Sequence, residues 1–399
     1  MKQIIVLGGG FAGLIAAVGA ARKLAELKIA RSDVAVTLVN RDAWHSIRVR
    51  NYESDLADLR VPLADVLEPI GVALTIGTVT GIDRDRRAVG LADGASLAYD
   101  RLVFALGSEL VRPPIPGLAE HGFDVDTFDA AARLSAHLSR LAARPASPGR
   151  FTALVVGAGL TGVELATELA TRLRALAGSE AARVILADRA PRIGSNMGDA
   201  ACAVIDEALA ALGVESRPGI DIVAVDPRGV RLSSGEEIAA ETVIWCGGMR
   251  AHPLAAALPG RHDRFGRVAV DRYMRVEEAP EIFATGDAAA ALVDGEHESV
   301  MSCQHARPMG RIAGHNAVCD LVGAPMIPLE IGYYVTCLDL GAWGAVYTQG
   351  WDRQVTATGA TAKETKRTIN CVRIYPPRSR DAAEILAAAA PVVQAPPRR

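Results

Sequence analysis

The stretch IIVLGGGFAG, residues 4–13, is a short apolar strand that runs into a glycine-rich turn, and an alanine-rich helical segment follows at 14–27. Its glycines have the spacing G-x-G-x-x-G. The first permits a tight turn, the second lets a pyrophosphate approach the backbone, and the third lets helix and strand pack closely. The helix N-terminus then faces the phosphates. We therefore predict a dinucleotide site that begins with Gly8, Gly10, Phe11, Ala12 and Gly13.

The composition of the chain limits its functional class. The 399 residues suffice for two or three domains, and the net charge of −3 gives no electrostatic case for binding nucleic acid. No apolar run reaches the roughly 20 residues that cross a bilayer. The six cysteines form no CxxC pair and the eight histidines have no common ligand spacing. We therefore expect reduced thiols, no metal site and a cytoplasmic location.

The segment after the first glycine turn departs from the usual dinucleotide pattern. A strand at 34–39 ends at Asn40, where such a unit normally has an acidic residue that holds the ribose hydroxyls. Asn40 accepts a hydrogen bond but carries no charge. Strands at 75–83 and 87–91 predict a small three-stranded insertion, and 99–108 is predicted to be a buried strand with small residues at its end. To the first site we also assign Asn40, Arg41, Val79, Ala105 and Gly107.

The glycine pattern recurs about 150 residues later. A strand at 151–156 leads into a second G-x-G-x-x-G turn and a helical segment, and a strand at 184–187 ends in Asp188. An aspartate here accepts hydrogen bonds from both ribose hydroxyls and repels a 2′-phosphate, which favours NADH over NADPH. Arg189 beside it weakens that preference. To the second site we assign Gly157, Gly159, Leu160, Thr161, Gly162 and Asp188.

A third signal is EEAPEIFATGDAAA at 277–290. A short strand delivers Gly286 and Asp287 to a turn, where the carboxylate can accept a hydrogen bond from a ribityl hydroxyl. Two glycine units, each opening a βαβ segment, predict an α/β protein with two Rossmann-like dinucleotide-binding domains and a smaller β-rich C-terminal region. Two dinucleotides imply electron transfer between them.

The order of these signals resembles the two-dinucleotide flavoprotein reductases of the glutathione-reductase type. The closest resemblance is to the type II, non-pumping NADH:quinone oxidoreductases, and it rests on LGGGFAG, VVGAGLTGVELATEL, TVIWCGGMRAHP, IFATGDAAA and CQHARPMGRIAGHNA. The resemblance implies FAD at the first site, NADH at the second, and a quinone or other small electron acceptor. It also implies an FAD-binding domain at 1–117 and 263–325, an NAD(H)-binding domain at 118–262, and an acceptor-facing or dimerisation region at 326–399.

The resemblance assigns roles to individual residues. The family pattern AQxAxQxG lies where flavin and quinone meet, and this chain keeps Gln304, Ala306 and Gly310 of that pattern but has Cys303 and Pro308 in place of alanine and glutamine. Residues 304–321 are predicted to form a helix that points its N-terminus at the flavin, with Pro308 in the first turn. The implied catalytic residues are Glu164, Gln304 and His305, and the further cofactor contacts are Gly247, Gly248, Gly286, Asp287 and Ala306. His305 is a candidate proton donor because the ordinary pKa of histidine lies near neutrality.

Several alternatives stay open. Two other classes are excluded by the positions of the cysteines. Disulfide reductases need a cysteine pair early in the flavin domain, and sulfide:quinone reductases need a cysteine before the second glycine motif. The first cysteine here is Cys202, which follows that motif. A reductase for a dedicated small molecule or redox protein is still compatible with the sequence, as is a flavoprotein whose NADH binding changes its association with a partner. Glu164 also suits a helix start, where the dipole favours an acid.

The C-terminal region is predicted to contain three strands, GYYVTCLDLG, GAVYTQGW and INCVRIYP, which suits a homodimer interface or an acceptor-facing surface. DAAEILAAAA at 381–390 is a weakly amphipathic helix with two large apolar residues, so we expect at most weak peripheral contact with the inner face of a membrane. From Trp351 onward there are nine Lys and Arg against four Asp and Glu, a net charge of 9 − 4 = +5. Residues 391–399 are predicted to be disordered.

Overall fold

A six-stranded sheet forms the core of the first part of the chain. The computed structural model describes residues 1–392, and in it the opening apolar run becomes the strand Lys2–Leu7, whose last four residues are buried. An inner parallel strand is covered on both faces, which is why this run does not alternate with polar residues. The strands are parallel except at one edge, in the order Arg275–Val276, Ala279–Ala284, Arg101–Phe104, Lys2–Leu7, Val34–Asn40 and Ala73–Ile76.

Two long helices pack closely against each other beside this sheet. The 11–26 helix, Phe11–Glu26, starts before the third glycine of the first motif, which therefore lies inside it. The 303–322 helix, Cys303–Val322, carries Gly310 at the contact. A Cβ at Gly310 would lie 2.3 Å from the carbonyl oxygen of Ala12. Glycine at this position lets the two backbones approach to a distance that a side chain would prevent.

A second parallel sheet follows the second glycine turn. Its residues alternate between two covered faces: Leu154 and Ile185 contact a three-stranded antiparallel sheet, whereas Val155 and Leu186 contact helices. The predicted α/β fold with two Rossmann-like units is confirmed. The parallel strands are Val214–Pro218, Arg183–Asp188, Thr152–Val156 and Thr242–Trp245, and the antiparallel ones are Ile222–Asp226, Gly229–Leu232 and Glu237–Ala239.

A two-stranded antiparallel ribbon links the two halves and is called the connecting ribbon below. It consists of Ser108–Leu110 and Met249–Ala251. Two other short pairs are Trp44–Ser46 with Arg60–Pro62, and Val268–Ala269 with Ala289–Ala290. The further α-helices in this part of the chain are Leu63–Leu67, Leu118–His121, Phe128–Leu138, the 160–177 helix, Leu160–Ala177, and Asp199–Ala211.

The prediction of one continuous strand at 75–83 is wrong. Ile76 ends a strand of the six-stranded sheet, and Gly77 and Thr78 redirect the chain. The small three-stranded insertion is present, but it begins only after this break. Its strands are Val79–Asp83, Ala88–Leu91 and Ser96–Ala98.

The C-terminal region has two of the three predicted strands, and the third prediction, INCVRIYP, is wrong. Ile369–Arg373 continues the preceding helix as a wider π-helical turn. The spacing of its apolar residues suggested a strand, yet Val372 is 69% exposed while Asn370 is buried. The helical path ends before Pro376, because proline cannot continue it. The observed sheet and helix are Val335–Asp339, Ala345–Gln349, Gln354–Thr358 and the 359–368 helix, Gly359–Thr368.

The last described helix, Ala382–Ala388, packs on the 11–26 helix and fully buries Ile385. Arg378 pairs with Asp58 beside it. The segment predicted as a weak membrane contact is therefore engaged with the chain itself. Among residues 1–392, no helix is both long and apolar enough to cross a bilayer. The predicted disorder at 391–399 falls almost wholly outside the described residues.

Candidate active site

The two glycine turns share one geometry. Gly8 and Gly157 follow buried strands and have positive φ angles of 99° and 104°. A Cβ at Gly13 or Gly162 would lie 1.8 Å from the carbonyl oxygen of the first glycine in its own motif. The first and third glycines are thus required for the turn itself.

The middle glycine of each motif faces open space. A Cβ at Gly10 or Gly159 would meet no atom within 4 Å. Each precedes a helix N-terminus, where free N–H groups and the helix dipole favour an anion. Leu160 and Thr161 are exposed at the mouth of the second opening, and Phe11 is partly exposed at the first. Both openings fit the pyrophosphate of a bound dinucleotide.

The side chains that end the neighbouring strands also correspond. The Gly9 N–H donates to Oδ1 of Asn40 at 2.9 Å, and the Ala158 N–H donates to Oδ2 of Asp188 at 2.6 Å. Oδ1 of Asp188 accepts from the Ala190 N–H at 2.7 Å. Asn40 therefore supports its turn as an aspartate would, but only the second site has a carboxylate there.

Small side chains line the remainder of the first opening. Ala12, Ala105 and Ala306 come from three different elements and form one buried cluster. A Cβ at Gly286 would lie only 2.7 Å from that of Ala12. Asp287 follows, and its Oδ2 accepts from the Ser108 hydroxyl at 2.7 Å. Gly8, the alanines and Asp287 are thus brought together around one opening, as expected of a flavin site.

The other predicted cofactor contacts lie at the margins. The Arg41 side chain is 67% exposed, and Val79 belongs to the three-stranded insertion instead of the six-stranded sheet. Gly247 and Gly248 follow the strand Thr242–Trp245, and Gly107 precedes the connecting ribbon.

The N-terminus of the 303–322 helix is tied to the C-terminal sheet. Oε1 of Gln304 accepts from the Val335 N–H at 3.1 Å. Pro308 is the sixth residue of this helix, so the prediction that it lies in the first turn is wrong. Because proline has no N–H, it cannot donate the usual helical hydrogen bond to the carbonyl of Gln304.

The structure argues against His305 as a proton donor. Its side chain is 0% exposed, and Nδ1 accepts from the Val300 N–H at 2.9 Å. Nε2 has no hydrogen-bond partner among the described residues, and the rings of Tyr334 and Trp351 meet His305 edge-on. Burial lowers the pKa of His305 to about 4. The imidazole is therefore neutral near pH 7.

Glu164 lies in a buried ionic network. Its Oε1 accepts from Nζ of Lys366 at 2.6 Å and from the Asp339 N–H at 3.1 Å. Lys363 pairs with Asp339, and the Tyr52 hydroxyl donates to the same carboxylate at 3.2 Å. Burial raises the pKa of Glu164, against the opposing effect of Lys366. A plain helix-start acid would not need such partners.

The model of the family described as pyridine nucleotide-disulphide oxidoreductase matches residues 2–310. The chain belongs to this family. An NADH dehydrogenase-like protein of Mycobacterium tuberculosis is 55% identical to the oxidoreductase over 397 residues, with 99% of each chain covered.

Proteins of lower sequence identity also match most of the chain. A type II NADH:quinone oxidoreductase of Staphylococcus saprophyticus is 29% identical, with 86% of this chain and 89% of the relative covered. Among solved structures, the sulfide:quinone oxidoreductase of Aquifex aeolicus has a TM-score of 0.76 at 18% identity, covering 98% and 96% of the two chains. At that identity the likeness concerns the fold alone. The resemblance predicted from the motifs is confirmed.

The oxidoreductase has residues at this site that sequence reasoning missed. Lys366 and Asp339 lie about 200 and 175 positions from Glu164 in the chain, so no local pattern indicates their contact. Arg48 and Ser108 were likewise not identified. The six cysteines are free thiols, in agreement with the expectation from their spacing.

Because His305 is neutral, we predict that it leaves no inflection in the pH profile of flavin reoxidation between about pH 5.5 and 8, as follows from its lowered pKa. His305→Gln should keep the profile of the unmodified oxidoreductase. The measurement is stopped-flow reoxidation of the reduced protein across that range. A step near pH 6.5 that disappears in the variant would restore the proton-donor role.

Proposed function

We propose that the oxidoreductase passes two electrons from NADH through FAD to a quinone. The observation that supports this most directly is a single strand, Val335–Asp339, whose two ends bind two predicted catalytic residues. The Val335 N–H donates to Gln304 and the Asp339 N–H donates to Glu164, each at 3.1 Å. Gln304 is the second residue of the 303–322 helix beside the flavin opening, and Glu164 lies in the 160–177 helix of the NADH opening.

The use of NADH and FAD follows from the family. The chain is an NADH oxidoreductase that uses FAD, as its family and its NADH dehydrogenase-like relatives indicate. FAD bound at the first opening would supply the redox chemistry, which is transfer of a hydride from NADH and of two electrons onward to an acceptor. The contribution of the protein is position and electrostatics.

The residues that perform this positioning follow from the two openings. Gly10 and Gly159 would leave room for the pyrophosphates, Asp188 would hold the adenosine ribose of NADH, and Asp287 would hold the ribityl chain of FAD. Gly247 and Gly248 leave space at the nicotinamide end. Gln304 and Glu164 are held at the junction with the C-terminal sheet by the Val335 and Asp339 N–H groups, and we propose that the acceptor binds near this junction.

A second candidate function is a reductase for a dedicated small molecule or redox-protein partner. It is favoured by Pro308, which replaces a glutamine of the quinone-associated pattern, and by the docked helix Ala382–Ala388, whose buried Ile385 leaves little apolar surface for a membrane. The acceptor distinguishes the two candidates.

The proposed function predicts a yellow protein whose flavin absorbance bleaches anaerobically with NADH. Stopped-flow mixing of the reduced protein with short-chain quinones, small redox proteins and oxygen then ranks the acceptors. We expect reoxidation to be fastest with a quinone. Faster reoxidation by a redox protein would favour the second candidate, and a protein that binds no FAD would contradict both.

A further inference from the structure

One guanidinium group connects the predicted flavin and NADH sites. Arg48 lies in a short 3-10 turn, Arg48–Arg50, and donates from Nη1 to the carbonyl and the hydroxyl of Ser108, at 3.1 and 3.0 Å. Its Nε donates to the Asp126 carbonyl at 3.1 Å, and Nη2 donates to the Asp126 carboxylate and approaches the Met249 sulfur. All five N–H groups of the side chain therefore have an acceptor.

The Ser108 hydroxyl transmits this contact to the flavin opening. A hydroxyl has one proton to donate, and Arg48 supplies a hydrogen bond to its oxygen. The proton of Ser108 therefore points to Oδ2 of Asp287, at 2.7 Å. Asp287 is the carboxylate assigned to the ribityl chain of FAD, and the hydrogen bond from the Ser108 hydroxyl orients this carboxylate.

We infer that Arg48 is a positioning residue for FAD, which acts through Ser108 to orient the carboxylate of Asp287 and joins this contact to the NADH side at Met249. The inference rests on the proposed function in taking Asp287 as a flavin ligand. Met249 starts the second strand of the connecting ribbon, directly after Gly247 and Gly248. The same side chain thus contacts both Ser108, which orients the flavin ligand, and the first residue of the strand that follows the nicotinamide end.

The charges around Asp287 give the arrangement a pH dependence. The pKa of Asp287 is raised, chiefly by burial and also by the negative charge of Asp126. The Ser108 hydrogen bond and the positive charges of Arg48 and Arg267 oppose this shift. Loss of the Ser108 hydrogen bond would raise this pKa further. The carboxylate of the variant would then gain a proton at a higher pH than that of the unmodified protein, and FAD would be released earlier on acidification.

The test follows FAD release from diluted holoprotein by flavin fluorescence, without NADH or acceptor. Arg48→Gln and Ser108→Ala should each weaken FAD binding about tenfold, the effect of losing one hydrogen bond to a charged group. The double variant should be no weaker than Arg48→Gln, because both substitutions interrupt one relay. Ser108→Ala should also release FAD at a higher pH. Arg48→Lys should not restore binding, since one ammonium cannot reproduce the planar fork.

A matched control lies on the same ribbon. Arg250 pairs with Glu109 across the connecting ribbon at 2.6 Å and is exposed, so Arg250→Gln removes an arginine from the ribbon without touching Ser108. It should leave FAD binding unchanged. Additive losses in the double variant, full rescue by lysine, or an equal loss in Arg250→Gln would overturn the inference. If Arg48→Gln fails to fold, the FAD affinity of Ser108→Ala and the pH at which it releases FAD still test the inference. An unmodified protein that binds no FAD would instead contradict the proposed function.

Discussion

Asp188→Ala should lower the ratio of kcat/KM for NADH to that for NADPH by about 100-fold, the effect of losing one or two charge-assisted hydrogen bonds of about 1.5–3 kcal/mol each. The carboxylate has about four acceptor positions. The Ala158 and Ala190 N–H groups occupy two of them, at 2.6 and 2.7 Å. The others are available to ribose hydroxyls and would repel a 2′-phosphate.

Arg189 determines how the nucleotide preference of Asp188→Ala changes. Arg189 is exposed next to Asp188, so removal of the carboxylate leaves an unopposed cation beside the predicted ribose position, which favours the 2′-phosphate of NADPH. We therefore expect NADPH to gain while NADH loses. The measurement is anaerobic flavin reduction by each nucleotide in stopped flow. Asp188→Ala with Arg189→Ala should lose the gain with NADPH but retain the loss with NADH.

The matched variant is Asp188→Asn. Asn40 already holds the first glycine turn through Oδ1, at 2.9 Å from the Gly9 nitrogen. An asparagine at 188 should therefore preserve the turn while removing the charge. If Asp188→Ala lowered activity with both nucleotides by the same factor while Asp188→Asn had no effect, Asp188 would support the turn and would not select the nucleotide.

Lys366→Met should destabilise the protein by about 3–5 kcal/mol, the usual cost of removing one partner from a buried ion pair. The Lys366 and Glu164 side chains are only 10% and 8% exposed, and their Nζ and Oε1 atoms are 2.6 Å apart. Without the ammonium, the Glu164 carboxylate keeps the Asp339 N–H as its one hydrogen-bond donor among the residues that the structure describes. Glu164→Gln combined with Lys366→Met should recover much of the loss, because no buried charge is then left unpaired.

The destabilisation should depend on pH. Burial raises the pKa of Glu164 above its ordinary value of 4.5, and loss of Lys366 would raise it further. A carboxyl whose pKa is higher in the folded than in the unfolded state binds its proton more tightly when folded, so stability is lost as pH rises through the folded pKa. The deficit of Lys366→Met should therefore grow as the pH increases above about 4.5, the ordinary value for glutamate.

The measurement is urea unfolding of each variant at several pH values, with and without FAD. Arg367→Met is the control, because Arg367 is an exposed cation next to Lys366 on the same helix. It should change the free energy of unfolding by no more than about 0.5 kcal/mol, as is usual for surface substitutions. A similar loss in both variants would show that helix charge, and not the buried pair, is responsible.

The sequence predicted secondary structure correctly where residues close together in the chain determine the local conformation. The strand, glycine turn and helix at the start of the chain were predicted from a single stretch, because the steric needs of the turn leave few alternatives at Gly8 and Gly13. The prediction of a strand at INCVRIYP was wrong because the local sequence did not determine the conformation there. Its apolar spacing fits a strand and a helix face equally, and the preceding 359–368 helix determines which forms.

Some features of the candidate site were likewise predictable from local motifs, and others depend on tertiary contacts. The two openings were predicted from motifs of about 30 residues, their cofactors from the family resemblance of those motifs, and Asp188 from its distance to Gly157. The neutral state of His305 was not predictable, because its pKa depends on burial by residues from distant parts of the chain. The same holds for the hydrogen bonds of Val335–Asp339 to Gln304 and Glu164.

By its own pattern the amino-acid sequence specifies two glycine turns, the strands that precede them and the helices that follow, because the steric and hydrogen-bonding requirements of these units are met within one short segment. The partners of the charged side chains depend on the tertiary structure. Lys366 meets Glu164, and Arg48 meets Ser108, only after sheets and helices have packed, since the free energy of a buried charge is set by the groups that surround it in space.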